Sequence, residues 1–346
     1  MTDSLLKDSD RIFVAGHRGM AGSAILRCLQ KSGYGSDSNS GAILTVSRDE
    51  LDLQDYLSVQ RWFAEHEPSV VVLAAAKVGG IHANASMPAD FLLSNLKIQN
   101  NVIETAWRSG VRRLLFLGSS CIYPKFAQQP IREESLLSGP LEPTNEAYAI
   151  AKIAGIQLCR SLRSQHGFDA LTLMPTNLYG PGDNYHPTNS HVMASFIRRF
   201  LKAAHAGVNH VSCWGSGKPL REFLHVDDLA SAVVFCLQHW DPAAVDAPCG
   251  DNGHPLEYLN VGSGQDLSIG ELANLVAEVC GYSGSILWDP SFPDGSPRKL
   301  LDVSRLASLG WRASIPLEQG VRSTVVQLSE QTTLLQSIIA GSDSAG

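Results

Sequence analysis

The sequence offers no segment of the kind that enters or crosses a membrane. Its first ten residues contain no apolar stretch of signal-peptide length, and the apolar run at residues 70–76 is far too short to span a bilayer. We therefore expect a cytoplasmic protein with no membrane partner.

Cysteine is scarce and shows no pairing pattern. The seven cysteines are odd in number and scattered, which does not indicate a disulfide framework. Since no Cys-x-x-Cys pair or Cys/His cluster suggests zinc, we expect no metal site.

The chain also lacks a basic excess. A net charge of −7 argues against a nucleic-acid backbone as the main partner, although a few local arginines could still hold a small anion. Its 346 residues are 44% hydrophobic and 18% charged, which suits a substantial buried core in one large domain or two interlocked ones.

The N-terminal part has the pattern of a dinucleotide-binding loop. The apolar run 11–15 predicts a buried strand, and a helical pattern starts soon after it. Between them lie Gly16, Gly19 and Gly22, whose small size lets the backbone approach a pyrophosphate at the helix N-terminus. We expect this loop, including Arg18 and Met20, to bind a dinucleotide.

The end of the second predicted strand, 42–46, bears on which dinucleotide is bound. An NAD-binding fold usually places an acidic residue there, whereas this chain has Arg48 there and Arg18 in the glycine loop. Because arginine can bind phosphate bidentately, the pair favours the 2′-phosphate of NADP. Asp49 and Glu50 nearby leave NAD as the alternative.

Further strand–helix alternation predicts a parallel sheet. Apolar runs at 70–76 and 112–117 read as strands, and 95–108 has the length and periodicity of a helix. We expect an α/β, Rossmann-type doubly wound sheet, in which ligands bind at the carboxyl ends of the strands. Asp52 and Leu53, after a strand-to-helix turn, are expected near the adenine of the cofactor.

A proton-transfer set follows the strand at 112–117. Tyr148 and Lys152 are four residues apart, which places both on one face of a helix. An ammonium beside a phenol favours the phenolate, and Ser119 at a strand end could hydrogen-bond the same substrate carbonyl. We expect these three residues to be catalytic.

These residues and several longer motifs resemble the extended short-chain dehydrogenase/reductase family. The match narrows to the branch that makes GDP-L-fucose from GDP-4-keto-6-deoxy-D-mannose, by 3,5-epimerisation and then NADPH-dependent reduction of the 4-keto group. It covers residues of about 11–324. The motifs are Gly16-His-Arg-Gly-Met, Ala74-Ala-Ala-Lys-Val-Gly-Gly-Ile81, Leu117-Gly-Ser-Ser-Cys-Ile-Tyr-Pro124, Glu142-Pro-Thr-Asn-Glu146, Pro175-Thr-Asn-Leu-Tyr-Gly180 and Asn189-Ser-His191.

The resemblance implies roles for residues that a plain reductase does not need. Epimerisation requires a base and an acid on opposite faces of the sugar, beside the 4-keto group. By resemblance, Cys121 is the base and His191 is the acid, which adds them to Ser119, Tyr148 and Lys152. The remaining cofactor contacts are expected at Ala75, Lys152, Pro175, Asn177, Leu178 and His191. Binding of the GDP-sugar is expected at Arg199, Trp214, Arg221 and Asp294.

The family pattern also implies a division of the chain. We expect an NADP-binding domain from residues 1–179 and about 223–262, and a smaller, interleaved C-terminal substrate domain from about 180–222 and 263–335. Residues 336–346 read as a flexible tail. A homodimer is implied through helices near 95–108 and 148–165. The polar residues 33–41 form a longer connection than is usual in the family, and we assign them no role.

Two other functions remain open at this stage. One is an NAD-dependent sugar-nucleotide 4-epimerase or 4,6-dehydratase of the same fold. Against a dehydratase, Ser120-Cys121 stands where an Asp-Glu pair is expected, and a 4-epimerase would not need Cys121 and His191. The other is a non-catalytic, NADPH-sensing protein, which would have no reason to retain Ser119, Tyr148 and Lys152.

Overall fold

The computed structural model describes residues 4–36, 41–292 and 294–340. The strands in this part of the chain are β1 (Arg11–Ala15), β2 (Ala42–Leu44), β3 (Val70–Leu73), β4 (Arg113–Leu117), β5 (Ala170–Pro175), β6 (Asn177–Tyr179), β7 (His210–Trp214), β8 (Leu220–His225), β9 (Tyr258–Val261), β10 (Asp266–Ser268), β11 (Ser285–Asp289) and β12 (Arg298–Lys299). The helices are α1 (Met20–Lys31), α2 (Tyr56–His66), α3 (Ile81–Ser86), α4 (Pro88–Arg108), α5 (Glu146–His166), α6 (Val192–Ala206), α7 (Val226–His239), α8 (Ile269–Val279), α9 (Ser304–Ser308), α10 (Leu317–Glu330) and α11 (Thr332–Ala340). None of the described helices has the length and apolarity needed to cross a bilayer.

A central parallel sheet organises the first two thirds of the chain. Its strands lie in the order β2-β1-β3-β4-β5-β9, and each neighbouring pair is parallel. Helices cover both faces, which explains why strands such as β3 are apolar at every position. The α/β, Rossmann-type doubly wound fold predicted from the sequence is confirmed.

Alternating side chains of the strands fill two separate cores. In β1, Ile12 and Val14 belong to a core that α1 and α7 cover. Phe13 and Ala15 point the other way, into a core covered by α2, α4 and α5. This is the period-two alternation of a strand with two buried faces.

The strand order creates the ligand-binding edge. From β1 the chain passes to β2 on one side, and then returns to β3 on the other side of β1. The loops that follow β1 and β3 therefore diverge at the carboxyl edge of the sheet, where doubly wound folds bind ligands.

A third core lies beyond this edge. It is built from α6, α8, α10 and α11 with parts of β6, β7 and β8. We propose that it is the core of the predicted substrate domain. Strand β8 joins the two regions, because its Leu224 belongs to the core covered by α1 and α7 and its Phe223 belongs to the third core.

The predicted tail requires one correction. Residues 336–340 continue α11, and Ile338 is buried in the third core. An apolar helix that packs against α6 is not a tail, so the expected start at residue 336 is wrong. Residues 341–346, and residues 37–40 of the predicted insertion, lie outside the described part of the chain.

Candidate active site

The glycine loop is shaped by close backbone contacts. Gly16 has φ of +90°, and a Cβ there would lie 2.7 Å from the backbone nitrogen of Ala75, after β3. A Cβ on Gly22 would lie 2.1 Å from the carbonyl oxygen of Gly16. Both positions therefore require glycine, because any side chain would push the turn away from its neighbours. Gly19 closes the turn by donating its N–H to the Gly16 carbonyl at 3.0 Å.

The helix behind this loop has a free N-terminus. Gly19 precedes α1, no side chain caps the helix, and its first turn contains no acidic residue. The backbone N–H groups and the helix dipole therefore favour an anion at this point. The shape of the loop and its donors fit the pyrophosphate of a dinucleotide.

Charged groups stand where the cofactor's adenosine is expected. Arg18 and Arg48 are both exposed. Glu50 accepts hydrogen bonds from the backbone and hydroxyl of Ser47, at 3.0 and 2.6 Å. These bonds come first among the causes that lower the Glu50 pKa, and Arg18 and His17 contribute to it. Glu50 therefore fixes the turn that carries Arg48.

The other predicted cofactor residues follow the same sheet edge. Asp52 is exposed and accepts from the backbone of Gln54, while the Leu53 carbonyl accepts from Asn101 at 2.9 Å. Pro175 ends β5, and Asn177 donates to the backbone of Glu222 at 2.8 Å. Ala75, Pro175, Asn177 and Leu178 thus lie after or within strands that reach the carboxyl edge.

The loop after β4 brings Ser119 and Cys121 together. Ser119 is extended and begins a short 3₁₀ turn, Ser120–Ile122. Its hydroxyl accepts a hydrogen bond from the Cys121 backbone at 3.2 Å. Both side chains are partly exposed, whereas Ser120 and Ile122 are buried, so the turn presents alternate side chains to the cleft.

Helix α5 supplies Tyr148 and Lys152 to the same place. The Lys152 ammonium donates to the Leu117 carbonyl at 2.8 Å and lies 5.9 Å from the centre of the Tyr148 ring. Lys152 is 3% exposed, and burial lowers its pKa to about 7. The i, i+4 spacing thus places the two groups on one helix face, as expected.

The environment of Tyr148 keeps its phenol protonated, so the expectation that the ammonium beside it favours the phenolate does not hold without ligand. Burial raises the pKa of Tyr148, the nearby Cys121 raises it further, and hydrogen bonding with Ser119 opposes the rise. Without ligand the phenol is therefore a proton donor at neutral pH. The Cys121 thiol and the Ser119 hydroxyl, the two groups that act on Tyr148, therefore belong to the same site as its phenol.

His191 stands apart from these groups. It immediately precedes α6, and its side chain is exposed. Although the residue is accessible to solvent, the protein around the ring removes part of its hydration and lowers the pKa of His191, so the ring is neutral at neutral pH. In the described part of the chain, no hydrogen bond joins the His191 ring to Ser119, Cys121 or Tyr148. Its loop is instead attached to the β3 loop, where the Gly80 N–H donates to the Asn189 carbonyl at 3.3 Å.

Three of the four predicted substrate residues form a separate group. Trp214 is 53% exposed and stacks on Phe292, with ring centres 4.4 Å apart and planes 9° from parallel. The Asp294 carboxylate accepts from the backbone and hydroxyl of Ser216. Arg221 donates to the Asp294 carbonyl at 3.4 Å.

Arg221 connects this group with the catalytic loop, whereas Arg199 is turned to the backbone. Burial lowers the pKa of Arg221, and Cys121, Glu142 and Asp294 oppose that effect. Arg199 donates to the Ser212 carbonyl of β7.

Sequence reasoning missed three side chains around this site. They are Lys299, whose ammonium lies 3.7 Å from the Cys121 sulfur, Phe292, which stacks on Trp214, and Ser216, which holds Asp294. All three lie far along the chain from the residues they contact. No local pattern could have found them, since each contact depends on how distant segments pack.

Comparisons with known proteins agree with the motifs. The model of the NAD dependent epimerase/dehydratase family matches residues 12–247. The probable GDP-L-fucose synthase 1 of Oryza sativa subsp. japonica is 55% identical, over 91% of this chain and 90% of that protein. The GDP-L-fucose synthase of Escherichia coli (strain K12) is 51% identical, over 91% of this chain and 95% of that protein.

A solved structure gives the same result. The GDP-L-fucose synthetase from Naegleria fowleri bound to NADP has a TM-score of 0.82 at 25% identity, over 96% of this chain and 98% of that chain. The resemblance stated from the motifs is confirmed. The chain belongs to the NAD-dependent epimerase/dehydratase family, in the branch that contains the GDP-L-fucose synthases.

Proposed function

We propose that this protein converts GDP-4-keto-6-deoxy-D-mannose to GDP-L-fucose, by epimerisation at C3 and C5 followed by reduction of the 4-keto group. The observation that carries the proposal is the position of Cys121. It lies in the same turn as Ser119, where its backbone N–H donates to the Ser119 hydroxyl at 3.2 Å, and this turn packs against α5, the helix that carries Tyr148. A reductase alone does not need that thiol, whereas an epimerase needs a base there.

The cofactor is NADP(H). Gly16, Gly19 and Gly22 form the loop that would hold the pyrophosphate, and the N-terminus of α1 supplies its N–H donors. Arg18 and Arg48 would bind the 2′-phosphate. When bound, NADPH supplies the hydride for reduction of the 4-keto carbon.

Epimerisation depends on Cys121 and His191. As a thiolate, Cys121 would remove the proton from the carbon beside the ketone, and the electron pair of that bond would form an enolate. His191 would return a proton on the opposite face. Because its ring is neutral without ligand, this role requires His191 to take up a proton first, which the negative charge of the enolate favours.

Ser119, Tyr148 and Lys152 would act on the ketone oxygen. The protonated phenol of Tyr148 and the Ser119 hydroxyl would donate hydrogen bonds that stabilise the enolate. During reduction Tyr148 would transfer its proton to the same oxygen. Lys152, held by the Leu117 carbonyl, would stabilise the phenolate that remains.

The GDP end of the substrate would occupy the group around Trp214. Arg221 suits the pyrophosphate, because its guanidinium lies between the catalytic loop and Asp294. The stacked Trp214 offers an exposed aromatic surface. Arg199 completes the proposed set.

We also propose a homodimer through α4 and α5. The two helices pack on each other and bear exposed apolar side chains, among them Leu93 (56% exposed) and Ile150 (45% exposed). Light scattering should give twice the chain mass for the wild type and the chain mass for Leu93→Glu. A monomeric wild type would contradict the dimer.

The decisive experiment is incubation with GDP-4-keto-6-deoxy-D-mannose and NADPH, followed by NMR of the product. We expect GDP-L-fucose, with one NADPH oxidised for each sugar reduced. A 4-epimerase or dehydratase would leave the reduced cofactor unconsumed, and a cofactor-sensing protein would bind NADPH without turnover. Either outcome would reject the proposed function.

A further inference from the structure

The ammonium of Lys299 faces the thiol of Cys121 from another part of the chain. Its nitrogen lies 3.7 Å from the sulfur, and the two residues are 178 positions apart in the sequence. Lys299 is half-buried, and it forms no ion pair with any carboxylate of the described residues. Its charge is therefore directed at the sulfur and is not neutralised by an acid.

We propose that Lys299 is a positioning residue for epimerisation, which holds Cys121 as a thiolate aimed at the substrate. The proposal rests on the proposed function for its chemical role. A cation within about 4 to 6 Å favours the charged form of an acidic group, and thiolates are stabilised in the same way beside lysine.

The backbone around Lys299 is fixed on both sides. On one side, β12 pairs in parallel with β8, and Lys299 lies opposite Arg221 in that pairing. On the other side, the Leu300 N–H donates to the Gln129 side chain at 2.9 Å, and its carbonyl accepts from Ile131 at 2.7 Å. The ammonium is thus presented from a rigid position, which is what a fixed charge beside a catalytic group requires.

A buried carboxylate strengthens this support. Glu222, in β8, is fully buried and accepts from the Leu301 N–H at 3.0 Å and from Gly264 at 2.7 Å. It ties the end of β12 to β8 and to the loop after β9. Before β12, the Leu220 N–H donates to the Pro297 carbonyl at 2.9 Å, so the strand that carries Lys299 is held at both of its ends.

One other charged group and one neutral titratable group also face Cys121. Arg221 approaches from β8, and the Tyr148 phenol from α5. Glu142 acts on Arg221 and partly neutralises it. Arg221 is also the residue suited to the substrate pyrophosphate, so in the complex its charge is shared with that group. Among the residues that the structure describes, Lys299 is the cation that lies within hydrogen-bond range of the Cys121 sulfur.

The proposed step balances without a further reactant. The Cys121 thiol loses its proton to solvent, and the thiolate then takes the proton from the sugar carbon while the C–H electron pair enters the enolate. Lys299 neither gives nor takes a proton in this step, and no electron leaves the system. Its contribution is to favour the thiolate before the substrate proton is removed.

The test compares alkylation of the full-length protein by iodoacetamide across the pH range in which thiols titrate. Peptide mass spectrometry follows Cys121, while the exposed Cys249 serves as a reference in the same samples. In Lys299→Met we expect the pH midpoint for Cys121 to rise by about one unit or more, and its rate at neutral pH to fall about tenfold. Lys299→Arg should restore most of the rate.

Arg298→Met is the matched control for β12. Its guanidinium pairs with Asp266 at 2.6 Å, away from Cys121, so it disturbs the strand without removing the charge at the thiol. If the pH midpoint for alkylation of Cys121 is the same in Lys299→Met as in the wild type, the proposal is overturned, whatever the alkylation rate at neutral pH. So would a shift of equal size in Arg298→Met.

A second measurement links the effect to catalysis. With GDP-4-keto-6-deoxy-D-mannose and NADP⁺, deuterium exchange at C3 and C5 proceeds without reduction. Exchange in Lys299→Met should be slow at neutral pH and recover as pH rises. Equal rates of deuterium exchange in the wild type and in Lys299→Met at neutral pH would overturn the proposal. The alkylation assay needs no substrate, so it decides the role of Lys299 even if the wild type fails to make GDP-L-fucose.

Discussion

Ser216 donates two hydrogen bonds to the Asp294 carboxylate, one from its backbone N–H and one from its hydroxyl, each 2.7 Å long. The pair joins the loop after β7 to the loop before β12, close in sequence to the stacked rings of Trp214, which ends β7, and Phe292. Asp294 was expected to bind the nucleotide sugar directly. Its carboxylate already has two donors, which favours a role in holding this part of the cleft.

Two variants distinguish these roles of Asp294. Ser216→Ala removes one donor but leaves the carboxylate free to bind substrate, while Asp294→Asn removes its charge. If Asp294 holds the loops, both variants should raise KM for the GDP-sugar, by about fivefold for the loss of a hydrogen bond worth about 1 kcal/mol. Steady-state kinetics would measure this. A raised KM in Asp294→Asn alone would favour direct binding.

Cys121 and Tyr148 should separate the two activities. Cys121→Ser should impair epimerisation more than ketone reduction, because a hydroxyl is a far weaker acid than a thiol. Tyr148→Phe should chiefly lose reduction, since the proton donor to the oxygen is removed. Hydride transfer and solvent-deuterium exchange would be measured on each variant. Unchanged exchange in Cys121→Ser would reject this residue as the base.

The burial of Lys152 should make the free energy of unfolding depend on pH. Its pKa is lowered from 10.5 to about 7, so above pH 7 the native state has released a proton that the unfolded state still holds. The wild type should therefore gain about 1.4 kcal/mol of unfolding free energy per pH unit between about pH 7 and 9.5, relative to Lys152→Met. The gain levels off as the pH approaches 10.5, because the unfolded lysine then releases its proton as well.

Urea unfolding of both proteins at several pH values measures this difference. Lys152→Met removes the ammonium and keeps a side chain of similar length, so the comparison isolates the charge. We expect Lys152→Met to be catalytically impaired and yet more stable near pH 7. A difference in unfolding free energy that is the same at every pH would contradict the lowered pKa.

Substitution of Gly16 or Gly22, where a Cβ would clash with the backbone, should destabilise the protein more than substitution of Gly19. Gly22→Ala places a methyl group 2.1 Å from the Gly16 carbonyl, so the backbone must move. We expect a loss of about 1–3 kcal/mol of stability and weaker NADPH binding. Gly19→Ala is the control, because its Cβ would be 3.5 Å from the same oxygen and its φ of −78° is ordinary. Equal stability of both variants in thermal unfolding would contradict the expected clash.

Arg18 and Arg48 should determine the preference for NADPH. Each charge-assisted hydrogen bond to a 2′-phosphate is worth about 1.5–3 kcal/mol, so Arg18→Ala and Arg48→Ala should each raise KM for NADPH about tenfold or more. KM for NADH should change little, because NADH lacks that phosphate. Arg61→Ala, an exposed change on α2, is the control. Equal losses for both cofactors would show that neither arginine reads the 2′-phosphate.

The sheet and its helices were predictable because their signals are local. Apolar runs bounded by loops mark the buried strands, and alternation with helices implies parallel pairing. The boundaries were less predictable: β2 ends at Leu44 and β3 at Leu73, before the apolar runs end. Pairing with neighbours decides where a strand stops, and a single sequence does not contain that information.

In the candidate site, too, some residues could be grouped from the local sequence and others could not. Gly16, Gly19 and Gly22 lie within one turn, and Tyr148 and Lys152 lie one helical turn apart, so chain geometry alone brings them together. The roles of Cys121 and His191 came from family resemblance and not from spacing. They remain predictions, because no contact in the described chain joins these two side chains.

By itself, the sequence determined the doubly wound fold, the dinucleotide loop and the residues that share one turn or one helix face. Only the tertiary structure placed the Lys299 ammonium at the Cys121 thiol and the Ser216 donors on Asp294. The physical reason is the separation of these residues along the sequence. Backbone geometry relates residues a few positions apart, whereas contacts between distant segments depend on how the sheets and cores pack together.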